Sequence, residues 1–283
     1  MRALSFLSSV AAPIEIFSST GNYLGRATSF FYSRDEKWSY LVTNWHIVTG
    51  RHPASPRISE TGAIPIRFRL TLHRRVSEKH ISLSQKVILD GELNDETGAA
   101  PKWLEHPSHK FKVDVIVLKI PNDDKFRSEI RCGYLSEYSS FQEDYHAQAM
   151  DDVFVIGYPW GLTGGDPVLP VYKRGSVASE PLVDFGKLPR FLIDCRTAKG
   201  MSGSPVICSH SGIWSRNGKL ENDSIIGTVQ NFAGVYSGRL RPKETGENDD
   251  RLDQVTEIGV IWKKSVVEEI VRHGVAGTML SEI

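Results

Sequence analysis

Short apolar stretches that alternate with a period of two recur along the whole chain, and polar turn residues separate them. In the first half they lie at 14–17, 25–32, 39–43, 64–72, 85–89 and 112–120. In the second half they lie at 153–157, 171–179, 191–195, 206–208, 224–230 and 256–262. Such alternation is typical of β-strands with one buried face. The pattern therefore predicts a chain built almost entirely of β-strands.

Two regions depart from the strand pattern. Between about residues 121 and 148 the chain is polar and rich in Pro, Asn, Asp and Ser, which predicts a linker between two halves. From about residue 264 to residue 273 the apolar residues follow a helical spacing, which predicts one C-terminal amphipathic helix. We therefore expect an N-terminal domain at 1–125 and a C-terminal domain at 126–283.

Length and cysteine content bound the architecture. A chain of 283 residues is compatible with one large all-β domain or with two barrels. It buries roughly 75% of its unfolded surface, so it needs no disulfides. Its three cysteines have neither metal-site spacing nor a disulfide framework: Cys132, Cys195 and Cys208. Four scattered histidines likewise form no recognisable ligand set: His73, His80, His106 and His109. The sequence thus predicts no metal site.

The charge balance limits the choice of partners. The chain carries 34 basic and 34 acidic residues, which gives no overall field to attract nucleic acid or an anionic membrane. No apolar run approaches the length of about 20 residues needed to cross a bilayer. Residues 1–12 faintly resemble a secretory signal, but serines interrupt their apolar run. We prefer a short arm leading into the first strand and expect a cytoplasmic protein, with secretion or a periplasmic location as alternatives.

One serine lies in a setting that suits a nucleophile. Ser202 is flanked by Gly200 and Gly203 on a predicted turn that runs into the apolar strand at 206–208. A serine hydroxyl becomes a nucleophile only when a base lies within hydrogen-bond reach and a third group orients that base. Glycine at position 200 allows a tight bend that aims the amides of Gly200 and Ser202 at one point, as an oxyanion hole requires.

A histidine and an aspartate upstream are candidates for the base and the orienting group. His46 lies near the end of the apolar run at 41–48. A lone histidine beside apolar residues is more often structural, although histidine is the usual general base near neutral pH. Asp114 opens the apolar strand at 112–120, and it needs a partner because burying an unpaired charge is costly. A histidine N–H is one such partner.

The order of these three residues resembles that of a known catalytic triad. His46, Asp114 and Ser202 follow one another as base, orienting acid and nucleophile, and in this the chain resembles the chymotrypsin-like (trypsin-like) serine peptidases. The resemblance covers most of the chain, from about residue 14 to residue 271, and rests on the motifs at 43–48, 114–118 and 200–205.

Within this class the chain most resembles the bacterial, disulfide-poor HtrA-like branch. Asp194 stands eight positions before the serine, as in HtrA proteins. Further similarities lie in the glycine-proline turn, the strand after it and the closing strand, at 157–162, 175–179 and 258–261. The Ser-Gly-Ser-Pro-Val sequence at 202–206 is nearer to that of glutamyl endopeptidases.

The resemblance implies a fold and a reaction. The fold is all-β, with two six-stranded antiparallel β-barrels of the chymotrypsin type and a C-terminal helix. His46 and Asp114 belong to the first barrel and Ser202 to the second, and a protein or peptide substrate lies in the cleft between them. The reaction is serine endopeptidase cleavage through an acyl-enzyme, with Gly200 and Ser202 as the oxyanion hole. No metal or organic cofactor is implied.

The departures from the family pattern concern regulation and local packing. Met201 stands where digestive enzymes carry an aspartate that pairs with the new N-terminus after cleavage, so we expect no activation by that ion pair. HtrA proteins continue into PDZ domains, whereas we expect this chain to lack them, so regulated assembly would need an activating protein partner. The Asn44–Trp45 pair before His46 is bulkier than the small residues usual there.

The resemblance also suggests residues of the primary specificity pocket. Arg196 and Thr197 fall where the base and wall of that pocket lie in the family, and Lys199 falls at its rim. Cationic side chains there would favour an acidic residue before the scissile bond. The alternative is that Arg196 points outward into solvent.

A strand further along is expected to bind the substrate backbone. Val229, Gln230 and Asn231 would pair with the substrate as an added strand. The segment 228–231 lacks the histidine that glutamyl endopeptidases use, which weighs against an acidic pocket.

Three functional hypotheses remain open from the sequence. The leading one is an active serine endopeptidase. The second is a protease-fold binding module with an intact but unproductive triad. The third is a protease that stays latent until a partner reshapes the serine turn.

Overall fold

A computed structural model of the chain describes residues 4–59, 62–77, 81–96, 98, 100–164, 168–216, 224–240 and 257–283. Residues 1–3 of the signal-like N-terminus, His80 and the first residue of the expected strand at 256–262 lie outside this described part. No helix within the described ranges is long and apolar enough to span a bilayer.

Strands dominate both halves of the chain. The first half contains β1 (Ala11–Phe17), β2 (Tyr23–Arg34), β3 (Trp38–Thr43), β4 (Arg67–Arg75), β5 (Ile81–Glu92), β6 (Trp103–Glu105) and β7 (Ile116–Pro121). The second half contains β8 (Asp152–Gly157), β9 (Val171–Val177), β10 (Arg190–Asp194), β11 (Pro205–Trp214), β12 (Ile225–Arg239), β13 (Ile258–Lys263) and β14 (Val275–Ala276). The α-helices are α1 (Trp45–Thr49), α2 (Asp124–Glu129) and α3 (Lys264–His273).

The strands of the first half form an antiparallel sheet in the order β14-β6-β7-β3-β2-β1-β4-β5. The chain just after β5 meets the chain just before β6 through an isolated bridge between Asn94 and Pro101 and a hydrogen bond of 2.8 Å from the Lys102 amide to the Leu93 carbonyl. This sheet has eight strands instead of the six of the expected barrel, because the first half supplies seven and β14 returns from the C-terminus and adds to β6.

The strands of the second half close into a six-stranded antiparallel barrel in the order β10-β13-β12-β11-β8-β9. Helix α3 follows its last strand and buries Val266, Val267 and Ile270. The expected fold class is confirmed, with an all-β architecture of two sheet domains and a C-terminal helix. The expected linker at 121–148 contains α2 and buried side chains such as Phe126 and Tyr145, while the exact domain boundary stays a prediction.

The two halves share a buried apolar cluster. Its members come from strands of both halves and from α3, and they include Val10, Phe30, Val42, Val115, Ile156, Phe232, Trp262 and Val266. Phe30 and Phe232 meet edge to face with ring centroids 5.7 Å apart, a contact worth about 1 kcal/mol beyond the burial itself. Because close-packed interiors resist sliding, this cluster fixes the cleft between the halves.

Candidate active site

His46 is held by the carboxylate of Asp114. His46 lies in the first turn of α1, directly after β3, and Asp114 lies in the bend before β7, which pairs with β3. The His46 ring Nδ1 is 2.7 Å from Asp114 Oδ2, and the His46 backbone N–H donates to Asp114 Oδ1 at 2.9 Å. The Asn44 side-chain amide donates to the Asp114 carbonyl at 2.6 Å. Asp114 therefore holds both the backbone and the ring of His46, and this fixes the orientation of the imidazole.

The Asp114 carboxylate is 2% exposed and has a second side-chain donor. Ser237 Oγ donates to the same Oδ2 that faces the imidazole. Burial alone works to raise the pKa of Asp114, but the nearby His46 charge and the hydrogen bonds from His46 and Ser237 outweigh it and hold the pKa below its usual range. Asp114 is thus an anion suited to orient and stabilise an imidazolium.

The turn that carries Ser202 is clamped between the two halves. The Thr28 N–H of β2 donates to the Ser202 carbonyl at 2.9 Å, and the Gly203 N–H donates to the Tyr236 carbonyl of β12 at 2.8 Å. Gly203 has a φ of +84°, and a Cβ there would lie 2.1 Å from the Thr28 carbonyl oxygen. Only glycine fits this close approach, so the position of the serine depends on it.

Two backbone amides near Ser202 have no acceptor within the part of the chain that the structure describes: those of Gly200 and Ser202 itself. The Lys199 carbonyl accepts a hydrogen bond of 2.6 Å from the Trp160 N–H. Because a trans peptide holds its N–H opposite to its C=O, the Gly200 N–H points away from Trp160. Unsatisfied amides at a bend are the donors that an oxyanion hole uses.

Ser202 and His46 share a cleft, but their side chains are not hydrogen-bonded to each other. Both residues line a cavity of about 430 Å³ together with Asp114 and Ser237. Ser202 Oγ donates instead to the Ser237 carbonyl at 3.1 Å. Catalytic hydrogen bonds are often not formed in the absence of substrate, and a change of the Ser202 rotamer redirects its Oγ.

The residues expected in the primary pocket line a second cavity, of about 920 Å³, beside Ser202. Thr197 is buried, and its hydroxyl is hydrogen-bonded to that of Tyr236. Lys199 is exposed at the cavity edge. Arg196 is largely exposed, with 81% of its side chain accessible, and its Nε lies 3.3 Å from Glu257 Oε1. The outward orientation considered for Arg196 fits this geometry better than a position at the pocket base.

The expected role of Val229, Gln230 and Asn231 does not fit the structure. These residues lie in the first part of β12, opposite His210, Ser209 and Cys208 of β11. Val229 and Asn231 are buried, and the Asn231 side-chain amide donates to the Tyr145 carbonyl at 2.8 Å. Gln230 uses its carbonyl to accept from the Gln142 amide at 2.8 Å. Gln230 lies seven positions before Ser237. At about 3.3 Å per residue of strand, the two residues are more than 20 Å apart.

The wall of the cleft is the last part of the same strand. Tyr236, Gly238 and Arg239 line the cavity beside Ser202, and Ser237 lies between the serine and Asp114. The predicted strand at 224–230 ends before Ser237 and Arg239, so the sequence did not point to these two residues. The signal that would have found them is the position of Ser237 after the apolar pair Val235 and Tyr236.

Within the described ranges, no group of three or more His, Cys, Asp or Glu residues could hold a metal.

Several solved structures are similar to this chain over most of its length. Rv3671c from M. tuberculosis, as the inactive form of a serine-to-alanine mutant, is 17% identical, with 94% of this chain and 86% of that chain covered and a TM-score of 0.45. The HtrA-type protease AlgW, with a tripeptide, is 12% identical over 95% of this chain and 63% of that chain, with a TM-score of 0.50. The serine endoprotease from Yersinia pestis is 13% identical over 96% of this chain and 69% of that chain, with a TM-score of 0.46.

At these identities the likeness to AlgW bears on the fold alone. A search of curated proteins finds no match. The sequence model of the trypsin-like peptidase domain matches residues 27–212, which include His46, Asp114 and Ser202. The chain therefore belongs to the trypsin-like peptidase family.

Proposed function

We propose that the chain is a serine endopeptidase that cleaves protein substrates through His46, Asp114 and Ser202 and an acyl-enzyme intermediate. The observation that carries the proposal is that the buried Asp114 carboxylate is hydrogen-bonded to both the ring and the backbone of His46, in the same cleft as Ser202. A structural histidine needs one partner, whereas an imidazole oriented through its Nδ1 leaves Nε2 available to a nucleophile.

In the proposed reaction, Ser202 Oγ first turns from the Ser237 carbonyl toward His46 Nε2. It attacks the scissile carbonyl carbon while His46 takes its proton, and Asp114 stabilises the resulting imidazolium. The Gly200 and Ser202 amides bind the oxygen that becomes negative. Removal of one such donor costs about a hundredfold to a thousandfold in rate in related enzymes.

Collapse of the tetrahedral intermediate breaks the peptide C–N bond. His46 gives its proton to the leaving amine, which departs and leaves the acyl group on Ser202 Oγ. A water then gives a proton to His46 and attacks the ester, and His46 returns that proton to Ser202 as the acid product leaves. The imidazole of His46 thus carries the proton in every step.

A fluorophosphonate probe tests the proposal, because it labels only an activated serine. We expect the wild-type chain to be labelled and Ser202→Ala to be unlabelled. Ser211→Ala is the matched control, since Ser211 lies on the exposed part of β11, and it should be labelled as the wild type is. Labelling of Ser202→Ala at the wild-type level would show that another residue reacts.

The same probe separates the remaining hypotheses. A binding module with an unproductive triad would show no labelling under any condition. A latent protease would show weak labelling that rises when cell extract is added. Full activity of the purified chain would rule latency out. The hydrogen bond from Ser202 Oγ to the Ser237 carbonyl, in place of one to His46, fits latency, whereas the free amides of Gly200 and Ser202 favour a preformed site.

A further inference from the structure

Among the described residues, the charged side chains that line the cavity beside Ser202 are all cationic. Four cationic side chains contribute to the cavity of about 920 Å³: Lys173, Arg196, Lys199 and Arg239. No Asp or Glu is among the described residues that line it. The four cations come from β9, from both ends of the serine turn and from β12, so only the fold brings them together.

Arg239 is an exposed residue that lines both cavities next to Ser202, whereas the other three cations line only the larger one. Arg239 lies at the end of β12, and its Nη2 donates at 2.8 Å to the Thr197 carbonyl. The guanidinium therefore ties the end of β12 to the start of the segment that leads to Ser202. Its other N–H groups donate to no acceptor in the described part of the chain. Arg196, by contrast, is directed at Glu257.

Cationic side chains also line the second cavity next to Ser202. The cavity of about 430 Å³ is lined by Lys112, Arg190 and Arg239 and by two histidines. Its one lining carboxylate among the described residues is that of Asp114, which is buried against His46. The whole chain has equal numbers of basic and acidic residues, so the cleft departs from the average. A cleft with one sign of charge and low-dielectric walls concentrates the opposite charge.

We propose that the cleft selects acidic peptide segments, and that Arg239 binds a carboxylate side chain of the residue before the scissile bond. This inference rests on the proposed function and adds the substrate class to it. A guanidinium presents parallel N–H donors that match a carboxylate, and such charge-assisted pairs are the strong hydrogen bonds of proteins. Lys173 and Lys199 supply further positive charge at the pocket edge. The preference for an acidic residue, which the sequence suggested for Arg196, is thus attributed to Arg239 instead.

Two peptides that differ by one isosteric side chain test the proposal. One carries Glu and the other Gln before the scissile bond, and kcat/KM is measured for both. We expect the wild type to prefer Glu by about tenfold to a hundredfold, the range of a charged hydrogen bond. Arg239→Gln should bring this ratio close to one. Lys119→Gln removes an exposed charge of β7 outside the cleft and should leave both rates unchanged.

Binding to Ser202→Ala gives a readout that does not depend on catalysis. Fluorescence anisotropy with a labelled Glu peptide should show tighter binding than with the Gln peptide, and the difference should vanish in Ser202→Ala/Arg239→Gln. Equal binding of the two peptides would overturn the inference. So would tighter binding of a single-stranded oligonucleotide than of the Glu peptide, since a general polyanion site would then explain the charges.

The failure of this inference is distinguishable from that of the proposed function. Fluorophosphonate labelling of Ser202 without any preference for Glu in cleavage or binding would refute the acidic selection and leave the peptidase in place. Absence of labelling with a persistent preference for the Glu peptide would refute the peptidase and leave an acidic-peptide site.

Discussion

Replacement of Thr278 by valine tests a buried network that joins the C-terminal segment to the histidine region. Glu105, at the end of β6, is fully buried, and four donors converge on it. Its Oε1 accepts from the indoles of Trp45 at 3.0 Å and Trp103 at 3.1 Å and from the Thr278 amide at 2.9 Å. Its Oε2 accepts from the Thr278 hydroxyl at 2.7 Å. Trp45 directly precedes His46.

The Thr278→Val change keeps the shape of the side chain and removes one donor. Glu105 Oε2 then has no donor in the described part of the chain, because the Thr278 hydroxyl is the donor that it has there. Hydrogen bonds to charged groups contribute about 1.5–3 kcal/mol. An unfolding entropy of about 2.1 cal/mol/K per residue amounts to roughly 0.6 kcal/mol/K for 283 residues. The expected fall in Tm is therefore about 3–5 °C.

Scanning calorimetry measures this shift, with Thr278→Ser as the matched control. Serine keeps the hydroxyl and loses one methyl group, so its Tm should stay within about 1–2 °C of the wild type. If Thr278→Val melts at the wild-type temperature, the buried carboxylate is satisfied in another way and the reasoning fails. If Thr278→Ser lowered the Tm as much as Thr278→Val, the effect would come from lost packing and not from the lost hydrogen bond.

Three further predictions concern the site and the thiols. The folded-state pKa of Asp114 lies below its usual value, so its contribution to stability is complete above about pH 4 and is lost as the pH falls through the folded value. Urea midpoints of wild type and Asp114→Asn should therefore converge toward low pH, and a constant gap would contradict this. Gly203→Ala should lower the unfolding free energy by about 3 kcal/mol or more through its positive φ and its clash with Thr28, whereas Gly25→Ala, which has open space, should not. Burial raises the thiol pKa values to about 11 or 12, so a thiol reagent at about pH 8 should react with none of the cysteines until the protein is denatured: Cys132, Cys195 and Cys208.

The sequence pointed to the turn that carries Ser202 because the evidence there is local. Gly200 and Gly203 flank Ser202 within four positions, and the close approach of Gly203 to Thr28 explains why no other residue type fits. His46 and Asp114 each stand at the edge of an apolar strand, β3 and β7, and these strands pair with each other. Their order and their positions beside apolar strands led to the family resemblance, and the fold brings the three residues to one cavity.

The sequence did not predict that the strand lining the cleft continues to Arg239, because tertiary pairing overrides local preference there. Strand β12 continues to Arg239 through Gly234 and Gly238, whose φ values of +150° and +152° are open to glycine alone. Glycine disfavours strands, so the sequence suggests a loop. Pairing with β13 holds the segment extended, with a register shift between Tyr236 and Gly238. No local signal shows such a bulge.

A long-range hydrogen-bond network could not be predicted from the sequence for a similar reason. Thr278 and Glu105 lie 173 positions apart, and their contact depends on β14 crossing back to the first sheet. Short strands such as β14 and β6 carry too few residues to show an alternation. The C-terminal helix could be predicted at 264–273 because ten residues suffice for a helical period, whereas two or three residues do not suffice for a strand.

The position of Arg239 links recognition to the catalytic turn. Its hydrogen bond to the Thr197 carbonyl holds the start of the segment that leads to Gly200, whose amide would bind the oxyanion. If a substrate carboxylate binds Arg239 as proposed, it acts on a residue that also supports this turn, and its binding energy can be used in the transition state. We accordingly expect the preference for Glu over Gln to appear in kcat as well as in KM. A preference confined to KM would mean that Arg239 attracts the substrate without supporting the turn.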